Sequence, residues 1–155
     1  MTMGTEFIVR VNDVSKQYAF GKQTLRALSS ITLDVLRGEF LAIAGPSGSG
    51  KSTLLNMIGC IDTPTSGSIS IDGQAVARQN SNQLADLRAK NIGFIFQTFN
   101  LLPVLSALEN VEYPLLRFSI GRKKRRERVS RFLEMVGMEK FAKQRPNQLS
   151  GGQRQ

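Results

Sequence analysis

The stretch GPSGSGKST, residues 45–53, has the residue types and the spacing that bind a polyphosphate. Gly48 and Gly50 let the backbone turn so that successive N–H groups point toward one anion. Lys51 brings a full positive charge to the β- and γ-phosphates, and the Ser52 hydroxyl is placed to ligate Mg²⁺. A helix that begins here adds the partial positive charge of its N-terminus.

This loop predicts a nucleotide site, and the alternative is a glycine- and serine-rich linker that matches the pattern by accident. The loop alone does not separate an ATPase from a GTPase or a small-molecule kinase. The residues of the loop predicted to contact the nucleotide are Gly45, Pro46, Ser47, Gly48, Ser49, Gly50, Lys51, Ser52 and Thr53.

A second stretch with anion-binding chemistry, LSGGQRQ, occupies residues 149–155. Ser150 is suited to cap a helix that begins at this point, and Gly151 and Gly152 permit the close approach of an anion. Two such stretches either bind two ligands or meet across one ligand in a dimer.

The elements that must position these residues follow from the pattern of apolar side chains. Residues 40–44 form a continuous apolar run, which is typical of a strand buried on both faces of a parallel sheet. The glycine-rich loop follows, and residues 52–60 then predict a buried helix, with Leu54, Leu55, Met57 and Ile58 as its apolar side chains. The order strand, loop, helix predicts an α/β fold.

Further strands are predicted on both sides of this unit. Residues 7–11 and 31–36 alternate apolar and polar side chains, as half-buried strands do. Residues 68–71 form another strand that ends in Asp72-Gly73, a tight-turn dipeptide, and residues 92–96 are again a short apolar strand. A helix is predicted over residues 81–90.

The chain after residue 97 is predicted to be helical. Ser106 and Glu109 form a capping box that opens a helix, and the side chains expected to share one face of it are Leu108, Val111 and Leu115. Helical spacing recurs in Val129, Phe132, Leu133 and Val136, with Gly137 placed to end that helix. We therefore expect a nucleotide-binding core and β subdomain over about residues 1–97 and a helical subdomain over about 98–155.

The amino-acid composition limits which classes of protein this chain can belong to. The chain has 155 residues, with 41% hydrophobic and 21% charged side chains, as in an ordinary soluble globular domain. Its apolar runs are too short to cross a bilayer, and its first residues do not resemble a secretory signal. The single cysteine, Cys60, sits among apolar residues and predicts a small buried side chain in a reducing compartment. These features predict a cytoplasmic protein.

The formal net charge of +9 is local rather than spread over the chain. Residues 117–131 hold eight basic side chains against the single acidic Glu127. The simplest interpretation is a solvated helix face, and the functional alternative is a surface near anionic lipid or a membrane partner. A nucleic-acid partner is not expected.

Three motifs in order resemble the nucleotide-binding subunit of an ATP-binding cassette (ABC) transporter. They are residues 45–53, Gln97 and residues 149–153, and LSGGQ matches the signature motif of that family letter for letter. Gln97, just after an apolar run, matches the Q-loop, and Tyr18 matches the aromatic residue that stacks on adenine. The stretch IGFIFQTFNLLPVLSALENVEYPLL is also similar to the lipoprotein-release and macrolide-export branch.

The resemblance implies a P-loop NTPase core with an antiparallel β subdomain and a small helical subdomain. It implies ATP and Mg²⁺ as ligands, Lys51 and Gln97 as catalytic residues, and Ser52 and Gln97 as metal contacts. In that family the signature of one subunit closes over the ATP held by a second copy in a head-to-tail dimer. The signature residues expected to do so are Ser150, Gly151, Gly152 and Gln153.

The same resemblance implies that ATP hydrolysis drives transport, in this branch export, through an integral-membrane permease at the inner face of the cell membrane. The family pattern also requires an apolar strand ending in Asp, a catalytic Glu and a switch His after the signature. This sequence has no histidine and no acidic residue after Glu139. We therefore expect a chain that lacks the C-terminal part of the fold, hydrolyses ATP poorly and exposes the edge of strand 40–44.

Two alternatives come from other functional classes. One is an ABC-type ATPase that acts on DNA, which the short interval between Gln97 and Leu149 disfavours, because such proteins carry large insertions there. The other is a nucleotide-binding module without hydrolysis.

Overall fold

The computed structural model describes residues 6–21 and 23–155. The chain divides into two compact units, Met1–Phe94 and Ile95–Gln155. No helix in the described ranges has the length and apolar content needed to cross a membrane.

The first unit is built on an antiparallel sheet. Its strands are β1 (Phe7–Phe20), β2 (Gln23–Leu36), β3 (Ser66–Ile71) and β4 (Gln74–Ala75), and their spatial order is β2-β1-β3-β4. The strands predicted from alternation are confirmed and are longer than expected. The Asp-Gly dipeptide joins β3 to β4 in an antiparallel pair, which confirms the predicted turn.

Two helices belong to this unit, α1 (Lys51–Ile58) and α2 (Ser81–Asn91). In α1, Leu54 and Met57 are buried, whereas Leu55 is half-exposed, so the helix is amphipathic rather than buried on all sides. A short 3₁₀ turn over Val76–Arg78 precedes α2. The core of the unit consists of Val11, Val14, Leu28, Leu54, Met57, Cys60, Ile69, Ile71, Val76, Leu84 and Leu87.

The predicted strands over residues 40–44 and 92–96 are not formed. The sheet in the described ranges is wholly antiparallel, and neither segment pairs with any of its strands. Phe40 is 95% exposed and Ile95 is 98% exposed, although Ile43 packs against the core. The prediction was wrong because an apolar run becomes a strand only beside a hydrogen-bonded neighbour, and its side chains are buried only when another layer covers them.

The second unit is helical, as predicted. It contains α3 (Ala107–Glu112), α4 (Arg122–Met135) and α5 (Gly151–Arg154). The capping box that opens α3 is confirmed: the Glu109 N–H donates to Ser106 Oγ at 3.3 Å, and the Ser106 N–H donates to Glu109 Oε2 at 2.8 Å. Shorter 3₁₀ turns cover Tyr113–Arg117, Glu139–Phe141 and Pro146–Gln148.

The apolar stripe predicted for α4 is only half correct. Val129 and Leu133 are buried, whereas Phe132 and Val136 are exposed. The helix ends at Met135 and Val136 is its C-cap, so Val136 does not continue the helical face. Gly137 follows this C-cap at φ +67°, and its N–H donates to the Glu134 carbonyl at 3.0 Å, so the predicted stop at Gly137 is confirmed.

Candidate functional site

The predicted phosphate loop is formed, and α1 begins directly after it. Gly50 is the N-cap of α1, and its carbonyl accepts from the Leu54 N–H at 2.9 Å. The Ser49 N–H donates to the Pro46 carbonyl at 3.3 Å, which closes the turn before the helix. These bonds are short-range in sequence, so the stretch folds locally into a cradle.

Gly48 and Gly50 are both in the left-handed region, at φ +81° and +88°. A Cβ at Gly50 would lie 2.5 Å from the Ala27 carbonyl oxygen and 2.7 Å from Leu28 Cδ2, whereas a Cβ at Gly48 would meet open space. The backbone of Gly50 therefore lies against β2, and that contact leaves no room for a side chain.

The Lys51 ammonium is held by oxygens of the loop itself. Its Nζ donates to the Gly45 carbonyl at 2.8 Å, to the Pro46 carbonyl at 2.7 Å and to Ser49 Oγ at 3.3 Å. All three donors of the ammonium are thus engaged within the loop. An anion that binds in the loop would therefore compete with these oxygens for the Lys51 ammonium.

The N-terminus of α1 carries no capping side chain and no acidic residue in its first turn. The N–H groups of this turn have no intrahelical partner, and the helix dipole makes this end partly positive. Ser52 lies in the same turn and is exposed. The turn is therefore suited to accept a phosphate.

Tyr18 lies on β1, and the structure brings it beside Thr53 of the loop motif. Its hydroxyl donates to Asp62 Oδ2 at 2.8 Å, and the ring remains 37% exposed. The hydrogen bond to Asp62 raises the pKa of Tyr18, and burial and the negative charge of Asp62 raise it further. A hydrogen bond from Thr53 has the opposite, smaller effect. The phenol is therefore a protonated donor at neutral pH.

Sequence reasoning missed Asp62 and Lys16. Lys16 Nζ donates to Asp62 Oδ1 at 2.6 Å, although the two residues are far apart in the chain. The only signal in the sequence is that Lys16 and Tyr18 are two positions apart on a strand and therefore share one face. Nothing in the sequence around Asp62 points to either of them.

In the second unit, Gln97 is exposed and lies in a bend after residues 92–96. Its predicted role toward Mg²⁺ stays a prediction, as does that of Ser52. Mg²⁺ commonly takes only one or two protein ligands together with substrate phosphates. Among the described residues, no group of three or more His, Cys, Asp or Glu side chains is arranged to hold a metal.

The signature stretch begins a helix, as the sequence predicted. Ser150 Oγ accepts from the Gln153 N–H at 3.4 Å, and Gln153 Oε1 accepts from the Ser150 N–H at 2.9 Å. Gly151 and Gly152 are exposed, with open space where a Cβ would stand. The backbone of this turn is therefore accessible, and its contact with a nucleotide stays a prediction.

Comparison with known proteins places these features in a family. Residues 28–155 match the family model described as ABC transporter. The ABC transporter ATP-binding protein YknY of Bacillus subtilis is 48% identical over 148 residues, which are 96% of this chain and 64% of that protein. A macrolide export ATP-binding/permease protein MacB of Paracoccus denitrificans is 46% identical over 148 residues, 96% of this chain and 22% of that protein.

Solved structures that resemble this chain are also ABC transporter cassettes. The ATP-binding cassette MJ0796, from Methanocaldococcus jannaschii, was solved as a dimer in a post-hydrolysis state bound to ADP and Pi. It superposes with a TM-score of 0.85 at 46% identity, covering 94% of this chain and 65% of that one.

The fold and the phosphate loop define a nucleotide-binding cassette of the P-loop class. The chain belongs to the ABC transporter family. It spans about 64% of the length of the YknY relative and 65% of the solved cassette. The resemblance to macrolide exporters is confirmed by the MacB relative.

Proposed function

We propose that this protein is the ATP-binding subunit of an ABC transporter, that it binds ATP with Mg²⁺, and that hydrolysis of the ATP is coupled to export by a partner membrane permease. The observation that carries the proposal is the phosphate loop. In it, the Lys51 ammonium lies among loop oxygens in front of an uncapped helix N-terminus.

We propose a role for each of the predicted site residues. The loop N–H groups bind the phosphates, and Lys51 Nζ exchanges its bonds to Gly45 and Pro46 for oxygens of the β- and γ-phosphates. When Mg²⁺ is bound, the Ser52 hydroxyl would hold it, and the family resemblance implies the Gln97 amide as a further contact. Tyr18 stacks on the adenine ring, which favours purines.

The signature residues act on the nucleotide of a second copy. Ser150, Gly151, Gly152 and Gln153 form an accessible helix start that contacts ATP held by the partner's loop in a head-to-tail dimer. Two observations support this part of the proposal: the solved cassette is dimeric, and these glycines are exposed. The subunit works in the cytoplasm, peripheral to the inner face of the cell membrane through the permease, and the MacB relative, an export ATP-binding/permease protein, supports the export direction.

ATP binding and ATP hydrolysis require different groups in this chain. Lys51 carries charge and Gln97 is a neutral amide, so neither removes a proton from the attacking water. General-base assistance typically contributes about 10²–10⁴-fold to a rate. We therefore propose that this chain binds ATP but hydrolyses it slowly.

The test is calorimetric titration of the protein and its Lys51→Ala variant with ATP and Mg²⁺. Removal of a charge-assisted phosphate contact, worth about 1.5–3 kcal/mol, is expected to weaken binding about 10- to 150-fold. Lys90→Ala, at the end of α2, is the matched control and is expected to bind as the parent does. Phosphate release is followed on the same samples.

Two results would contradict the proposal. One is equal ATP affinity for Lys51→Ala and the parent, with both folded by circular dichroism, which would place the phosphates elsewhere. The other is Lys51-dependent turnover as fast as that of an intact cassette dimer, which would show that no further base is needed.

A further inference from the structure

Lys16, Tyr18 and Asp62 form a hydrogen-bonded cluster between β1 and the segment that follows α1. Asp62 accepts on both carboxylate oxygens: Oδ1 from Lys16 Nζ at 2.6 Å and Oδ2 from Tyr18 Oη at 2.8 Å. Oδ1 also accepts from the Thr63 N–H at 2.7 Å, so the carboxylate is fixed to its own backbone. The phenol is therefore bonded to an acceptor that is itself held in place.

Lys16 is part of the fold here and not a free surface charge. Its side chain is only 11% exposed, and Nζ also donates to the Thr63 carbonyl at 2.7 Å. The ammonium lies 4.8 Å from the centroid of the Tyr18 ring. One face of the ring is thus covered by a cation, a favourable cation–π arrangement.

The backbone of β1 between these two side chains is tied to the same segment. The Gln17 N–H donates to Thr65 Oγ1 at 3.0 Å, and the Thr65 N–H donates to the Ser15 carbonyl at 2.9 Å. The Tyr18 side chain and the backbone of the residues just before it are therefore both anchored to residues 62–65. A ring held at two points loses little further freedom when a ligand stacks on it.

The charge states support this arrangement. Burial alone would raise the pKa of Asp62, but hydrogen bonds from Lys16, Tyr18 and the Thr63 N–H outweigh it, and the pKa lies below its usual value. The carboxylate is therefore ionised at neutral pH and acts as an acceptor toward both side chains.

We propose that Asp62 and Lys16 are positioning residues for the base of the bound nucleotide: together they hold the Tyr18 ring in one orientation beside the phosphate loop. The inference rests on the proposed function, in which Tyr18 stacks on adenine. Lys16 covers one face of the ring, so the base stacks on the opposite face. Asp62 touches no nucleotide itself and acts only through Tyr18.

The test compares ATP with tripolyphosphate, which has the phosphates but no base, each with Mg²⁺ and each titrated by calorimetry. Loss of one well-placed hydrogen bond is worth about 0.5–1.5 kcal/mol, so Asp62→Asn is expected to weaken ATP binding about 2- to 12-fold. Tripolyphosphate affinity is expected to stay within about twofold of the parent's, since the loop contacts do not involve Asp62. Asp34→Asn is the matched control for loss of a surface carboxylate, because Asp34 on β2 pairs with Arg10 and not with Lys16 or Tyr18.

A double variant and a spectroscopic readout separate positioning from general stabilisation. Tyr18→Phe with Asp62→Asn is expected to lose no more ATP affinity than Asp62→Asn alone, because both remove the same bond. In a Tyr113→Phe background Tyr18 is the single tyrosine of the sequence. Its absorbance titration is expected to move to lower pH in Asp62→Asn, because the carboxylate raises the pKa of the phenol.

The outcomes distinguish the two proposals. If the parent binds neither ATP nor tripolyphosphate, the proposed function fails. If the parent binds ATP through Lys51 but Asp62→Asn binds ATP equally well, or loses both ligands to the same degree, the positioning role is overturned. Should Asp62→Asn not fold, Lys16→Met removes the ammonium while keeping the side-chain stem, and the same ATP-selective loss is expected.

Discussion

Replacement of Gly50 by alanine tests whether the phosphate loop is fixed against β2. The change places a Cβ 2.5 Å from the Ala27 carbonyl oxygen and 2.7 Å from Leu28 Cδ2, at a residue whose φ is +88°. Gly48→Ala is the matched control, because Gly48 has a similar φ of +81° but no atom within 4 Å of its Cβ position. The two variants share the backbone strain and differ in the collision.

The magnitudes follow from these two contributions. A left-handed conformation costs a residue with a Cβ about 1–2 kcal/mol, which both variants pay. Overpacking against fixed neighbours typically costs about 1–3 kcal/mol more, which only Gly50→Ala incurs. Gly50→Ala is therefore expected to be less stable than Gly48→Ala by about 1–3 kcal/mol.

The assay is urea unfolding without nucleotide, followed by Tyr18 fluorescence in a Tyr113→Phe background, so that the signal reports the unit that contains the loop. With a urea dependence of about 1–3 kcal/mol per molar, the two midpoints are expected to differ by about 1 M. Equal midpoints at equal slopes would refute the reasoning, because they would show that Gly50 does not lie against Ala27 in solution.

Two further predictions concern the helical unit. The hydrogen bond from Arg125 to Glu112, together with the nearby charge of Arg126 and against the effect of burial, holds the pKa of Glu112 below its usual value. Glu112 therefore stabilises the fold above the unfolded carboxyl pKa of about 4.3, and this stabilisation is lost as the pH falls through the lower folded value. In Glu112→Gln, the urea midpoint is expected to fall less steeply as the pH is lowered. An unchanged dependence of the midpoint on pH would contradict this prediction. The exposed basic residues of α4 are expected to bind vesicles of acidic lipid, and added salt or the double change Lys123→Glu and Lys124→Glu is expected to weaken that binding. If the amount of protein that pellets with vesicles does not depend on lipid charge, the helix face is only solvated. Salt-sensitive retention on duplex DNA instead would favour the DNA-acting alternative.

Several features predicted correctly from the sequence depend on neighbours close along the chain. The loop before α1, the capping box of Ser106 and Glu109, and the start of α5 at Ser150 each need contacts within a few residues. Such contacts can be predicted from the sequence, because the spacing of the residues alone determines which groups can bond to each other.

The features that the sequence did not reveal depend on distant partners. Residues 40–44 have the apolar content of a central strand, yet pairing is decided by which segments lie alongside, and Phe40 remains exposed. The bond between Tyr18 and Asp62 joins residues of two separate elements and has no local pattern. The predicted face of α4 failed for a local reason instead, because the helix ends at Met135, one residue before Val136.

The pairing of β1 with β2 links the two ends of the proposed nucleotide site. Lys16 pairs with Leu28, and Tyr18 pairs with Leu25, while Gln17 pairs with Arg26. The register therefore passes over Ala27, the extra residue of a β-bulge, and it is the Ala27 carbonyl that lies against Gly50. One strand of the pair holds the ring proposed to bind the base, and the other supports the loop proposed to bind the phosphates.

This arrangement means that the register of one strand pair sets the distance between base and phosphate contacts. A slip of one residue would turn Tyr18 to the opposite face of the sheet, away from Asp62, and would move the bulge away from Gly50. The sheet is antiparallel and is formed without residues 40–44 as a strand. The geometry proposed to bind the base and the phosphates of a nucleotide therefore depends on β1, β2, Asp62 and the loop before α1.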